Sequence, residues 1–302
     1  MHANPFPSSE WHTSRPLELM HTDVHMLPYR TFCGYHYWVI FIDDYSMYHF
    51  VTPIAAKSDI FKAFKHFKAF AENQSEQKLK TLRDDKGGQY ISNAMADFTA
   101  LCSIEHQHTV RACPWQNGVA ECTNRLLSEC ITAMLDESGL AKAFWGEALA
   151  ALVHVWNRCP TDAVDGATPY ELWHGRKPDV SHLRVWGCTA YVHVQKDKHA
   201  ALDPHMEKCV FIGYPDGYKG WKFYNPTTKR TVISEHGDFD ERHFMASKRS
   251  ANVPGVGIEC LCTLVVLMDA FFSDYFSSFL SWFITWFVAY VFLCFSLFAL
   301  FV

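Results

Sequence analysis

The sequence predicts an α/β domain followed by a small β-barrel module and a hydrophobic C-terminal helix. Three observations carry that prediction. Over residues 18–180, short runs rich in β-branched and aromatic residues alternate with longer stretches whose apolar residues recur at helical spacing. Over residues 185–245 the helical spacing gives way to short β runs separated by turn residues. From Tyr275 to Val302 no charged residue occurs.

Residues 1–17 are polar and proline-containing, and an extended segment is expected there. Leu17 to Val24 reads as a short strand that carries Asp23. Tyr35 to Thr52 reads as two β-rich runs broken by a turn at Asp43-Asp44-Tyr45-Ser46. Lys57 to Ala71 is helical, because Ile60, Phe64, Phe67 and Ala71 fall on one face while Lys62, Lys65 and Lys68 lie mostly elsewhere. Lys78 to Arg83 is a short strand that runs into Asp84-Asp85 and a Lys86-Gly87-Gly88 turn. A helix over Asn93 to Cys102 and a strand over Glu105 to Val110 follow.

A long helix begins after Asn117, a favourable N-cap residue. Its expected apolar stripe is Val119, Leu126, Cys130 and Met134, with Glu121, Arg125, Ser128 and Thr132 on the polar face. A further helix covers about Ala141 to Asn157. Four strands are then expected within AYVHV, KCVFIGY, WKFYN and RTVISE, with turns at Pro215-Asp216-Gly217 and Asn225-Pro226. Residues 246–260 read as a linker, and 261–302 as a hydrophobic tail.

Composition narrows the function classes. With 49% hydrophobic residues among 302, the chain has ample material for a core. A net charge of −5 does not by itself suggest nucleic acid, yet local basic clusters exist: Lys57, Lys62, Lys65 and Lys68, then Lys78, Lys80 and Arg83, and further on Lys219, Lys222, Lys229 and Arg230. The 11 cysteines form no C-x-x-C, which argues against a disulfide framework and a zinc ribbon and fits reduced thiols. No apolar run of secretory-leader length occurs in residues 1–20. The uncharged tail exceeds the roughly 20 residues that cross a bilayer, so it is a candidate transmembrane helix and a membrane is a candidate partner.

Three acidic residues sit where chemistry would use them: Asp23 at the end of the first strand, Asp85 at the end of a later strand, and Glu121 in the first turn of the long helix. Carboxylates arranged so can converge on divalent metal, and hard oxygen ligands suit Mg²⁺ or Mn²⁺. Turn carboxylates without any ligand are the commoner explanation of such a pattern, and spacing alone does not decide between the two. His21 and His25 flank Asp23 as H-x₃-H, but with no C-x-x-C partner this is a weak zinc signal. Trp156, Trp173 and Trp186 are most simply core or interface aromatics.

The local sequences HTDV (residues 21–24), FIDDYS (41–46), TLRDDKGGQY (81–90) and QNGVAE (116–121) resemble those of integrases from copia-type long-terminal-repeat retrotransposons. Thirty-five residues, 86 through 120, separate Asp85 from Glu121, which is the family's characteristic gap. The resemblance covers about residues 5–245. It implies a ribonuclease-H-like integrase core over 18–180, followed over 185–245 by the small SH3-like barrel of these polyproteins. It also implies two-metal phosphoryl transfer that joins element DNA ends to target DNA, with Asp23, Asp85 and Glu121 holding two Mg²⁺ or Mn²⁺ ions. Strand alternation lets only one of Asp84 and Asp85 face such a site. The family pattern picks Asp85 and leaves Asp84 as a solvated turn residue. Gln116, Asn117, Arg125 and Lys86 are the expected DNA contacts, each with a capping or solvent-facing role as the alternative. The resemblance further implies a homo-oligomer around two DNA ends and a nuclear location, or a membrane location if the tail inserts.

The chain departs from the family pattern at several positions. Lys86 stands where Asn is usual, Gln89 for Glu, Cys122 for a basic residue and Trp115 for Gln. The family's upstream zinc module would fall before residue 1, and residues 258–302 match nothing expected of an integrase. Two alternatives therefore stand beside an active enzyme: an inactive retroelement remnant that only binds nucleic acid, and a tail-anchored membrane protein whose soluble part serves interaction. The tail itself reads more readily as translated frameshift or intron sequence than as a genuine anchor.

Overall fold

The computed structural model describes residues 13–85, 93–108, 118–193 and 205–246. The predicted linker beyond residue 246 and the hydrophobic tail lie outside the described residues, as do Lys86, Gln116 and Asn117. Among the described residues no helix is long and apolar enough to cross a membrane.

The first domain is built on a five-stranded sheet of β1 (Leu19–Met26), β2 (Tyr37–Asp43), β3 (His49–Ile54), β4 (Thr81–Asp84) and β5 (Glu105–His108). Their spatial order is β3-β2-β1-β4-β5. The first three strands form an antiparallel meander, and β4 and β5 run parallel to β1. Parallel pairing needs crossovers. These are supplied by α1 (Ile60–Ser75) before β4 and α2 (Asn93–Leu101) before β5. This order and direction, with helices on both faces, is the ribonuclease-H-like arrangement that the resemblance implied.

β2 shows why both faces must be covered. Its residues from Trp38 to Asp43 are all buried, the continuous pattern of a strand with no solvent side. Val39 and Phe41 pack with Met20, Leu82 and the predicted α1 face of Ile60, Phe64, Phe67 and Ala71. Trp38, Ile40 and Ile42 face the other way, onto α3 (Gly118–Ser138) and α4 (Trp145–Trp156). The short α5 (Pro169–His174) brings Trp173 to the α1 side of the sheet.

Several predicted elements shift by a few residues, and in two of them the cause is visible. The first strand begins at Leu19 rather than Leu17, because Leu17 has φ +60° and turns its N–H onto the Asp43 carboxylate at 2.8 Å. In α3 the buried positions are Ala120, Thr123, Asn124, Leu127, Ile131 and Ser138, so the helix is rolled about a quarter turn from the predicted stripe. Val119, Cys130 and Met134 are only partly buried at the flank of the core. The roll is set by Asn124, a polar residue whose amide has partners inside.

The second module contains β6 (Thr189–His193), β7 (Met206–Gly213), β8 (Trp221–Asn225), β9 (Arg230–Ser234) and a fifth strand, β10 (Gly237–Asp240), in the order β10-β6-β7-β8-β9. Only two residues link β9 to β10, although these strands lie at opposite edges of the sheet. A link that short spans about 10 Å, so the sheet must curl until its edges meet, which makes a barrel. Gly220 (φ +136°) permits the close approach of its backbone to the Ser234 carbonyl, where a Cβ would lie 2.6 Å from the oxygen. The barrel also lends Trp186, Val210 and Ile212 to the α3–α4 side of the first domain's core.

Candidate active site

Asp23 lies in β1 opposite Ile40 of β2, so its side chain emerges on the sheet face that α3 covers. Its carboxylate is held at two points. Oδ2 accepts from Asn124 Nδ2 at 2.9 Å, and Oδ1 accepts from the Val24 N–H at 2.7 Å. Asn124 in turn accepts from the buried indole Nε1 of Trp38 at 2.7 Å through Oδ1. One amide thus fixes the helix, the strand and the carboxylate relative to one another.

Glu121 stands one turn before Asn124 on α3, exposed at the helix start. Asp85 is the first residue beyond β4 and is also exposed. Arg83 pairs with His21 across β4 and β1, and two residues on, alternation returns Asp85 to the face that carries Asp23. The pKa of Asp23 is raised to about 6, first by burial and further by the charges of Asp85 and Glu121, against the bonds from Asn124 and Val24. The charges of Asp85 and Glu121 thus reach Asp23, with the site open to solvent on the Asp85 and Glu121 side, but the three carboxylates do not bring their donor atoms within 4.8 Å of one another. An all-carboxylate oxygen set with mutual repulsion suits a hard divalent cation, whose charge would reverse that repulsion.

Asp84 corrects the sequence reading. It is fully buried and not a solvated turn residue. Its parity sends it to the opposite sheet face, where Oδ1 accepts from His108 Nδ1 at 2.9 Å and Oδ2 meets His106 Nε2. Asp43 and Asp44 build a turn, as predicted, but an interior one. Asp43 accepts from the Leu17 and Ser46 backbone N–H groups and the Ser46 hydroxyl, and Asp44 accepts from Thr13 and meets His21. His21 is thereby engaged by a carboxylate, and the His25 ring lies against Trp38 with ring centroids 4.5 Å apart and the planes tilted by 31°.

Arg125 is exposed on α3, and its guanidinium contacts Cys122 Sγ at 3.5 Å. Much of the anticipated basic surface is committed to local partners. Lys68 pairs with Glu72, Lys80 with Glu18 and Lys222 with Glu147, while Lys57 and Lys65 lie over Tyr37 and Phe61. Asn124 was missed by sequence reasoning. The available signal was an amide three residues after Glu121, on a turn otherwise packing inward.

Residues 13–114 match the family model described as integrase core domain, and residues 188–252 match the retroviral polymerase SH3-like domain. The chain is 34% identical over 241 residues to the retrovirus-related Pol polyprotein from transposon TNT 1-94 of Nicotiana tabacum, covering 80% of this chain and 18% of that protein. It is 30% identical over 252 residues to the corresponding polyprotein from transposon RE1 of Arabidopsis thaliana, covering 83% of this chain and 17% of that one. The chain thus spans about a fifth of the length of these relatives. Among solved structures, the HTLV-2 integrase catalytic core domain in complex with magnesium is 17% identical, with a TM-score of 0.42, covering 53% of this chain and 98% of that one.

Proposed function

We propose, from the premise that this chain belongs to the copia-type retroelement integrases, that it cuts and joins DNA strands by metal-dependent phosphoryl transfer. The observation that supports the proposal is the β1–β4 register, which sets Asp23 and Asp85 on one sheet face, the face covered by the helix that carries Glu121. Asp23, Asp85 and Glu121 would hold the divalent metal, two ions of Mg²⁺ or Mn²⁺. When bound, such ions activate a water or 3′-hydroxyl and stabilise the leaving oxygen of an in-line displacement at phosphorus.

The protein's own part is positional. Asn124 and the Val24 N–H hold the Asp23 carboxylate in one orientation, so this one ligand is oriented before substrate arrives. The exposure of Asp85 and Glu121 leaves the site reachable by a duplex rather than only by a small molecule. Arg125 is proposed to meet backbone phosphate, together with Lys86, Gln116 and Asn117, which adjoin Asp85 and the start of α3 in the sequence. A homo-oligomer around two DNA ends, acting in the nucleus, completes the proposal.

The test is a disintegration assay, the reversal of strand transfer, on a branched DNA substrate with Mn²⁺, using the full chain in mild detergent. The wild type is expected to yield joined product. Glu121→Gln, which removes a ligand charge and nearly keeps its shape, is expected to lower the rate by at least about a thousandfold, the scale on which loss of a main charge-stabilising group acts. A folded wild type that binds the substrate and yields no product would favour the inactive remnant, with Lys86 and Cys122 as first suspects.

A further inference from the structure

We propose that Asp84, His106 and His108 form a second metal site, chemically suited to zinc, on the sheet face opposite the Asp23 carboxylate. The site is separate from the integrase reading and does not rest on it. His106 and His108 alternate with Gln107 along β5 and so share one face, and the parallel register sets His108 beside Asp84 and His106 beside Leu82. Leu82 belongs to the α1-side core, so the three polar residues emerge at the end of that apolar layer. One donor atom from each lies within 4.8 Å of the others, and they are the only such His/Cys/Asp/Glu group among the described residues.

The donor set decides which ion fits. Two imidazole nitrogens and one carboxylate oxygen are a borderline-soft set, favoured by Zn²⁺ and related transition ions over Mg²⁺, which wants oxygen throughout. Metal–ligand lengths of about 2.0–2.2 Å put tetrahedral donors about 3.3 Å apart. The His108–Asp84 contact of 2.9 Å and the closer His106–Asp84 contact open slightly to that value when an ion replaces the two hydrogen bonds, with water completing the fourth position. The rings already lie 4.2 Å apart, His106 presenting Nε2 and His108 Nδ1 to the same carboxylate. Asp84 is fully buried, the two His side chains are 11% and 32% exposed, and the site therefore opens to solvent only along His108. A cation there neutralises a buried carboxylate and ties β4 to β5 one residue before Asp85, fixing the strand end from which that ligand projects.

The test uses the full chain, without a histidine tag, stripped with chelator and kept in mild detergent. Co²⁺ is titrated as a spectroscopic probe in excess Mg²⁺, which occupies the oxygen-only carboxylates. The expected result is one Co²⁺ per chain, with visible bands of tetrahedral nitrogen–oxygen ligation, no sulfur charge-transfer absorption, and displacement by equimolar Zn²⁺. His108→Gln, at the most exposed of the three positions, should melt like wild type without metal. It should also lose the bands and at least about tenfold in affinity, a scale that even outer-shell partners reach. Asp84→Asn should do the same to the spectrum, and Glu121→Gln should leave it unchanged. The proposal is overturned if the wild type gives no such bands, if His108→Gln keeps wild-type affinity and spectrum, or if only Glu121→Gln abolishes them. DNA joining is not read, so the outcome is independent of whether this chain is an active integrase.

Discussion

Asn124 carries more of the site than its side-chain size suggests. Its amide oxygen takes the Trp38 indole N–H and its amide nitrogen serves Asp23, so both ends are spent inside the protein. In Asn124→Ala the buried indole N–H loses its acceptor, which costs about 1–3 kcal/mol, and Asp23 loses one of its two tethers. The expected outcome is a lower urea midpoint with unchanged slope, together with a higher Mn²⁺ concentration for half-maximal DNA joining. A variant that is destabilised but keeps the wild-type metal requirement would leave Asn124 a packing residue only. Order, gap and flanking motifs agreed, so Asp23, Asp85 and Glu121 were singled out in the sequence as candidates, in the role proposed above. Asn124 was not, since an amide at a helical position reads as surface until its two partners are known. Asp84 failed for the complementary reason: nothing in its neighbourhood announces that His106 and His108, over twenty residues away, will enclose it.

At the scale of elements, the core face of α1 was legible because it is apolar and the charges lie elsewhere, although the helix runs Ile60–Ser75 rather than Lys57 to Ala71 and also buries Ala63. α3 was legible as a helix but not in its roll, because Thr123 and Asn124 occupy buried positions that hydrophobic periodicity assigns to solvent. β10 was missed because Gly237-Asp238-Phe239-Asp240 has one apolar residue; what places it is the closing of the barrel rather than its own composition. α4 meets the barrel through another polar contact. His154 Nε2 lies 2.9 Å from His182 Nε2, and the His154 ring stacks on Tyr214 at 4.0 Å. Burial, with Arg158 and His182 adding to it, lowers the His154 pKa to about 3. The folded protein therefore keeps His154 neutral where an unfolded chain, with an ordinary value near 6.5, binds a proton. Stability from this residue is present above about pH 6.5 and is lost as pH falls towards 3, with a slope of at most about 1.4 kcal/mol per pH unit. His154→Gln, which cannot titrate, is expected to flatten the dependence of melting temperature on pH between 6.5 and 4. An unchanged slope would show that other groups govern that range.

Across the whole molecule, the two family domains share a core. Trp186, Val210 and Ile212 of the barrel segment pack in one cluster with Trp38 and Ile40 of the sheet and Leu127, Trp145 and Leu149 of the helices. Gly187 reinforces the seam: at φ +82° it lets the chain pass Ser138, where a Cβ would come within 2.3 Å. A chain ending at residue 184 is expected to expose the α3–α4 face, bind a hydrophobic dye and melt without a sharp transition, whereas the described assembly should unfold as one unit. Two separate transitions in the longer protein would contradict a common core. The sheet also has an outer boundary at β3, and there Asn157 accepts from the His49 N–H at 2.9 Å and donates to the His49 carbonyl at 2.8 Å. A side-chain amide has the same donor and acceptor as a peptide group, so it supplies the first rung of a sixth strand and ends it there. In a protein read as working in a crowded complex of identical copies, that single residue closes one place where a neighbouring chain could be templated onto the sheet, and so favours assembly by surface recognition over propagation strand by strand.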